Sequence, residues 1–309
     1  MNQERGDLLP HIPESTPPGA RVPFFRRLQP VTFAILSLAI VFLLYQLVAG
    51  GLTLLLFKGK VNEDNVAIVR WSTMIGQLLF ILVPTLVLTR LRDDRPVKYL
   101  RVRVPDYREI LLSVLAVFAL QQMLQGYMVL QDAIPLPGPI QRYVDLIRRM
   151  IEETYRILVV ARSPQEFVFV VFTVAFIPAI GEELLFRGLV QRNFEEATGG
   201  LAGALITGVI FGAYHLNPIS IVPLVVLGMY FGFLVYRSQN TVVSMSAHFF
   251  NNFVACAAAY MQLDDDFVAI APGGKASGGV MVLNVILFSA VFVMSTYYYL
   301  RITDSVESR

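Results

Sequence analysis

The chain has 309 residues, 55% of them hydrophobic and 16% charged, with a formal net charge of +2 and a mean hydropathy of +0.60. That balance excludes an ordinary soluble domain, for which apolar residues make up about 45–50% and charged ones about 25%. The small net charge offers no nucleic-acid surface, and the single cysteine, Cys256, excludes an intrachain disulfide and a cysteine-based metal cluster.

Residues 1–30 carry Pro10, Pro13, Pro17, Pro18, Pro23 and Pro30 without apolar periodicity, so they read as a mobile cytoplasmic tail. The first apolar run starts only at Val31, is long, and lacks the small-residue cleavage site of a signal peptide. Eight apolar runs follow, at 31–57, 67–89, 109–130, 167–190, 200–217, 219–236, 241–262 and 279–300. A bilayer core of about 30 Å demands about 20 such residues per helix. The expected fold is therefore all-α, a polytopic membrane bundle of about eight transmembrane helices. Its expected parts are N-terminal spans over 31–130, a surface segment over 131–166, a second transmembrane core over 167–300 and a C-terminal tail over 301–309.

Arg21, Arg26 and Arg27, the cluster from Arg90 to Arg108, Arg237 and Arg301 all fall on one face if the number of spans is even. The positive-inside rule makes that face cytoplasmic and places both termini there. Segment 131–166 disagrees, since it would lie outside yet contains Arg142, Arg148, Arg149, Arg156 and Arg162. Within it Tyr143, Ile147, Met150, Ile151, Tyr155 and Leu158 recur at helical spacing, which reads as an amphipathic helix on the membrane surface. Gly273, Gly274, Gly278 and Gly279 read as a loop without the ending of a phosphate-binding motif.

Ionisable groups inside a span cost at least about 2.5–3.5 kcal/mol each for Asp, Lys or Arg, so they demand a reason. The fourth run contains Glu182, Glu183 and Arg187, the fifth ends in Phe211 and His215, and the seventh contains His248, Asn251 and Asn252. Glu183 and Arg187, at i and i+4, pair along one helix face. Glu182, about 100° away, is left to point elsewhere. His248 and Asn252 present two polar heads to one neighbour. At about 1.5 Å per residue, Glu182 lies about 10–15 Å from the cytoplasmic end, His248 and Asn252 about 10–18 Å, and His215 about 20 Å, the loosest fit. Each residue alone has a bland reading: a structural ion pair, an interhelical histidine, or amide glue between helices. The combination of carboxylate, imidazole and amide at one depth is what points to chemistry.

At these residues the sequence resembles the CPBP family, the CAAX-protease and bacteriocin-processing membrane endopeptidases, also called Abi-like. The motifs are Glu182-Glu183-x-x-x-Arg187, Phe211-x-x-x-His215 and His248-x-x-x-Asn252, each on its own run, within about 165–260. The resemblance implies an integral protein of a bacterial inner or plasma membrane that hydrolyses a peptide bond in a membrane-associated protein or peptide. It implies that Glu182, with His215, activates water, that His248 and Asn252 stabilise the oxyanion, and that Glu183 and Arg187 support the helix geometry. No cofactor is favoured. The alternative is a divalent metal such as zinc on Glu182, His215, His248 and Asn252, without an H-E-x-x-H pair or cysteine to hold it. Two other functions are open to the same cluster: a non-catalytic immunity or scaffold protein of the same fold, and an ion-coupled transporter.

Overall fold

The computed structural model describes residues 24–57, 62, 64–262 and 278–307. The tail before Phe24, the Lys58 and Lys60 turn, and the connection carrying Asp264 to Asp266, Gly273, Gly274 and Lys275 lie outside the described residues. Every element among the described residues is helical. Seven helices are long and apolar enough to cross a membrane: α1 (Pro30–Leu52), α2 (Val66–Arg92), α3 (Tyr107–Asp132), α5 (Pro164–Thr198), α7 (Ile221–Ser238), α8 (Thr241–Tyr260) and α9 (Val282–Thr303). Between α3 and α5 lies α4 (Gly138–Val159), and between α5 and α7 lies α6 (Gly200–Tyr214). The protein is an all-helical integral membrane bundle. The helix containing α9 starts at Gly278, so Gly278 and Gly279, expected in a loop, open a helix instead.

The eighth expected span is α6, an apolar helix of 15 residues that is shorter than the other seven. Its apolar composition hides this, because nothing in hydropathy marks the turn that follows Tyr214. Leu216 takes a left-handed backbone at φ 51°, a conformation that costs a non-glycine residue about 1–2 kcal/mol. Asn217 Oδ1 then accepts the Ile219 and Ser220 amides, each at 3.1 Å. The turn is thus built from local hydrogen bonds, and it sends the chain back as α7.

Helices α6 and α7 form a hairpin whose backbones nearly touch. A Cβ on Gly208 would lie 2.4 Å from Met229 N, and one on Gly212 would lie 2.7 Å from Val225 N. From the other side, a Cβ on Gly228 would lie 2.7 Å from Gly208 O, and one on Gly232 would lie 2.8 Å from Ala204 O. Both helices thus carry a small-xxx-small pair, the pattern that lets membrane helices approach closely where no hydrophobic drive between them exists.

Helix α5 is longer than its apolar run, extending to Thr198. Its charged last turns are held by the Arg-rich connection between α2 and α3. Arg192 donates to Tyr99 O at 2.9 Å, Asn193 to the Tyr99 hydroxyl at 2.8 Å, and Arg101 pairs with Glu195. The same connection fixes the start of α8, where Thr241 Oγ1 donates to Leu100 O at 2.6 Å and Thr241 N to Arg101 O at 3.0 Å. At the opposite end Arg70 of α2 is buried and donates to Ile157, Leu158 and Val160 carbonyls. It caps the C-terminus of α4, where a cation suits the exposed carbonyls, and also pairs with Glu166 at 2.6 Å.

The length of α5 changes the depth of the motifs. Glu182 is about 24 Å from the Arg-rich end of α5, and His215 about 22 Å from the start of α6, at 1.5 Å per residue. The estimate of 10–15 Å for Glu182 took Arg192, Glu195 and Glu196 as having left the helix. With them included, His215 stops being the loose fit and stands level with Glu182.

Replacing Gly208 with leucine should push its side chain into the Met229 backbone, which has no rotamer with which to yield. The expected loss is at least about 3 kcal/mol, at the upper end of overpacking costs. Thermal unfolding in detergent should show a collapsed midpoint, whereas Gly138→Ala, with nothing within 4 Å of the added Cβ, should leave the midpoint unchanged.

Candidate active site

The three motifs meet where α5, α6 and α8 pass one another, in two adjoining clusters. The first is fully buried. Glu183 Oε1 accepts from Arg187 Nη1 at 2.9 Å and from His248 Nδ1 at 3.0 Å. Arg187 Nη2 reaches across to Gly228 O at 2.9 Å, and one turn on Gln191 Nε2 reaches Gly232 O, also at 2.9 Å. The pair 187 and 191 on α5 thus bonds the pair 228 and 232 on α7. The α5 backbone turns with wider i→i+5 bonding over Leu184–Gln191, which brings residues four apart closer to one line. Such widened turns concentrate at functional sites.

Aromatic rings close this cluster. The Arg187 guanidinium lies 4.4 Å from the Phe211 ring centre and 5.3 Å from that of Phe231, within the reach of cation–π attraction. His248 stacks on Phe231 at 5.2 Å and 16°. A carboxylate can only accept, so His248 Nδ1 carries a proton here and Nε2 faces away from Glu183. Glu183 therefore does more than pair along its own helix: it fixes the orientation of an imidazole from α8. Sequence spacing shows the Arg187 partnership but gives no sign of a partner on another helix.

The second cluster is open. Glu182 and His215 approach to 3.9 Å between Oε2 and Nε2, with side chains 18% and 31% exposed. His215 Nδ1 lies 2.7 Å from Phe211 O, four residues back. A carbonyl accepts, so Nδ1 is the donor and Nε2, in the neutral ring, presents a lone pair to Glu182. Glu182 Oε2 is buried and has no hydrogen-bond partner. Two acceptors thus face each other across a gap that one small donor can bridge.

Asn252 has a structural tie that the sequence does not announce. Its Nδ2 donates to Val174 O at 3.2 Å, and its Oδ1 accepts from Asn251 at 3.1 Å. Val174 is four residues before Pro178, which has no N–H to return to that carbonyl. One amide hydrogen of Asn252 therefore fills a bond that proline removed, and the second remains for another acceptor.

The donor set fits a metal poorly. Tetrahedral zinc ligands at about 2.0–2.2 Å sit within about 3.5 Å of one another. Among the described residues no three His, Cys, Asp or Glu side chains are gathered to hold an ion.

The two glutamates should separate in stability measurements. Glu183→Gln leaves Arg187 buried without its counter-charge, a change that typically costs about 3–5 kcal/mol. Glu182→Gln breaks no hydrogen bond and should leave the unfolding midpoint nearly unchanged. Thermal melts of the two purified variants in detergent make the comparison.

No curated protein and no solved structure matches the chain. Residues 164–254, which carry all three motifs, match the family of type II CAAX prenyl endopeptidases, Rce1-like. This match to the segment that holds both clusters agrees with the CPBP resemblance of the motifs.

Proposed function

We propose that the protein is an intramembrane endopeptidase that hydrolyses a peptide bond of a membrane-associated protein or peptide, with Glu182 and His215 activating the water. The observation that carries this reading is the 3.9 Å approach of two hydrogen-bond acceptors, Glu182 Oε2 and His215 Nε2. A water between them donates one hydrogen to each, which leaves its own lone pair free and enriched for attack. This is general-base catalysis by a positioned pair.

The steps follow from that arrangement. Water oxygen bonds to the carbonyl carbon while its proton passes to Glu182. The carbonyl oxygen becomes an oxyanion, which His248 Nε2 and the second amide hydrogen of Asn252 stabilise. Nε2 donates when the His248 ring carries both protons, and the Glu183 carboxylate balances that charge. Glu182 then delivers its proton to the leaving nitrogen as the C–N bond breaks, giving an amine and a carboxylic acid, whose remaining proton is lost to solvent. Arg187 and Glu183 act as positioning residues.

The Rce1-like match favours a lipidated substrate cleaved near a C-terminal cysteine. The test uses a farnesylated peptide ending in a CAAX sequence, alongside unlipidated membrane peptides. Glu182→Gln and His215→Ala should each lower the cleavage rate by about 10²–10⁴-fold while retaining the fold. Activity of the wild type should survive chelator. Cleavage at the wild-type rate by Glu182→Gln overturns the assignment, and a phenotype that persists in that variant favours an immunity or scaffold role.

A further inference from the structure

Hydrolysis needs water at a carboxylate about 24 Å from the Arg-rich end of α5, and the sites described above do not say how water arrives there. Between α1 and α2 lies a cavity of about 200 Å³, partly open to the surroundings, whose lining includes Tyr45, Gln46, Ala49, Ser72, Thr73 and Gly76. We propose that this cavity is the route by which water reaches Glu182, an inference that rests on the hydrolytic reading.

Its lining is the first argument. In the hydrocarbon region an unsatisfied polar side chain is costly, yet a phenol, an amide and two hydroxyls point into one space between two spanning helices. Lipid tails satisfy none of them. A buried water needs about 10–15 Å³ of room and 2–4 polar partners, and the cavity supplies both several times over. Part of the lining comes from Leu43–Ala49 of α1, another stretch with i→i+5 bonding. The two helices approach closely at Gly76, where an added Cβ would lie 3.3 Å from Ala49 Cβ. The space therefore opens beside a tight contact.

The second argument is continuity. Tyr45, on the cavity wall, faces Gln77 and lies within electrostatic reach of Glu182, as does Tyr214. The Gln77 Oε1, Tyr214 hydroxyl and Glu182 Oε2 atoms are all buried without a hydrogen-bond partner. Buried polar atoms are satisfied in more than nine cases in ten, roughly speaking, by protein or ordered water. Two such atoms, on residues neighbouring Tyr45 or Glu182, and the carboxylate oxygen itself suit a path that water molecules would complete. Phe42 and Phe186 pack edge-on to Tyr214 at 5.2 and 5.3 Å, which holds its hydroxyl in place along that path. The depth agrees as well, since Gly76 lies about 24 Å from the Arg-rich end of α2, level with Glu182.

The test is accessibility to a charged, membrane-impermeant methanethiosulfonate reagent, which attacks a thiolate only where water is present. On a Cys256→Ala background, Ser72→Cys and Thr73→Cys should react at least about tenfold faster than Leu79→Cys, whose side chain is exposed on the lipid-facing surface of the same helix. Equal, slow reaction at all three positions would show a dry or lipid-filled cavity and overturn the proposal. A Ser72→Ala, Thr73→Val double variant keeps the shape and removes the hydroxyls. It should cleave the farnesylated peptide about tenfold more slowly with an unchanged melting midpoint and unchanged KM. Cleavage at the wild-type rate by that variant would overturn the route even if the cavity is wet. Rapid labelling of a wild-type protein that cleaves nothing would instead overturn the hydrolytic reading and leave the water-filled cavity standing.

Discussion

The Glu183 carboxylate holds the bundle together at its centre. One oxygen receives the guanidinium of its own helix and the imidazole of α8, and the guanidinium in turn reaches a carbonyl of α7. Three spanning helices thus meet at one fully buried anion. Burying such a charge is affordable only because a guanidinium and an imidazole meet its Oε1, so the positions of those two partners are fixed by the need to neutralise it. His248 is held in a defined tautomer and orientation as a consequence. A side chain that acts on a substrate has to be held this way, because a free imidazole would sample several rotamers and present its second nitrogen to nothing in particular.

The α6/α7 hairpin follows from the same constraint. Arg187 and Gln191 can reach the carbonyls of Gly228 and Gly232 only because no side chain stands in between, and the same glycines let α6 close to backbone contact. That contact sets where α6 stops. Its short length places the turn, and with it His215, at the level of Glu182 and not at the membrane surface. The left-handed Leu216 is the local strain that this placement entails, and strained residues persist where surrounding structure over-determines them.

What the sequence made legible is the chemistry along single helices. The i, i+4 pairing of Glu183 with Arg187 was readable, as was the exclusion of Glu182 from that pair, and both stand in the structure. The helical class was readable from the apolar runs. The depth of Glu182 was not, because Arg192, Glu195 and Glu196 look like residues that have left the helix, whereas α5 continues through them, with Glu195 paired to Arg101 of the Arg-rich connection and Arg192 to Glu196 and the Tyr99 carbonyl. The status of α6 was not readable either: its composition is that of a span, and only the Asn217 turn shows that it stops short. The tie from Asn252 to Val174 depends on Pro178 lying four residues further along a different helix. No pattern within the third motif contains that information.

The arrangement divides two adjacent glutamates between opposite tasks. Glu183 is buried, and its Oε1 is engaged in holding α5, α7 and α8 in register. Glu182, one residue away and turned by about 100°, keeps an oxygen without a partner. That oxygen stands beside His215 Nε2, itself aimed by the Phe211 carbonyl, which is the geometry the proposed base requires. Gln77 and Tyr214 likewise keep buried polar atoms without a partner, Gln77 beside Tyr45 on the cavity wall and Tyr214 within electrostatic reach of Glu182. Stability and reactivity are therefore separated by a single residue step, and the helix period performs the separation.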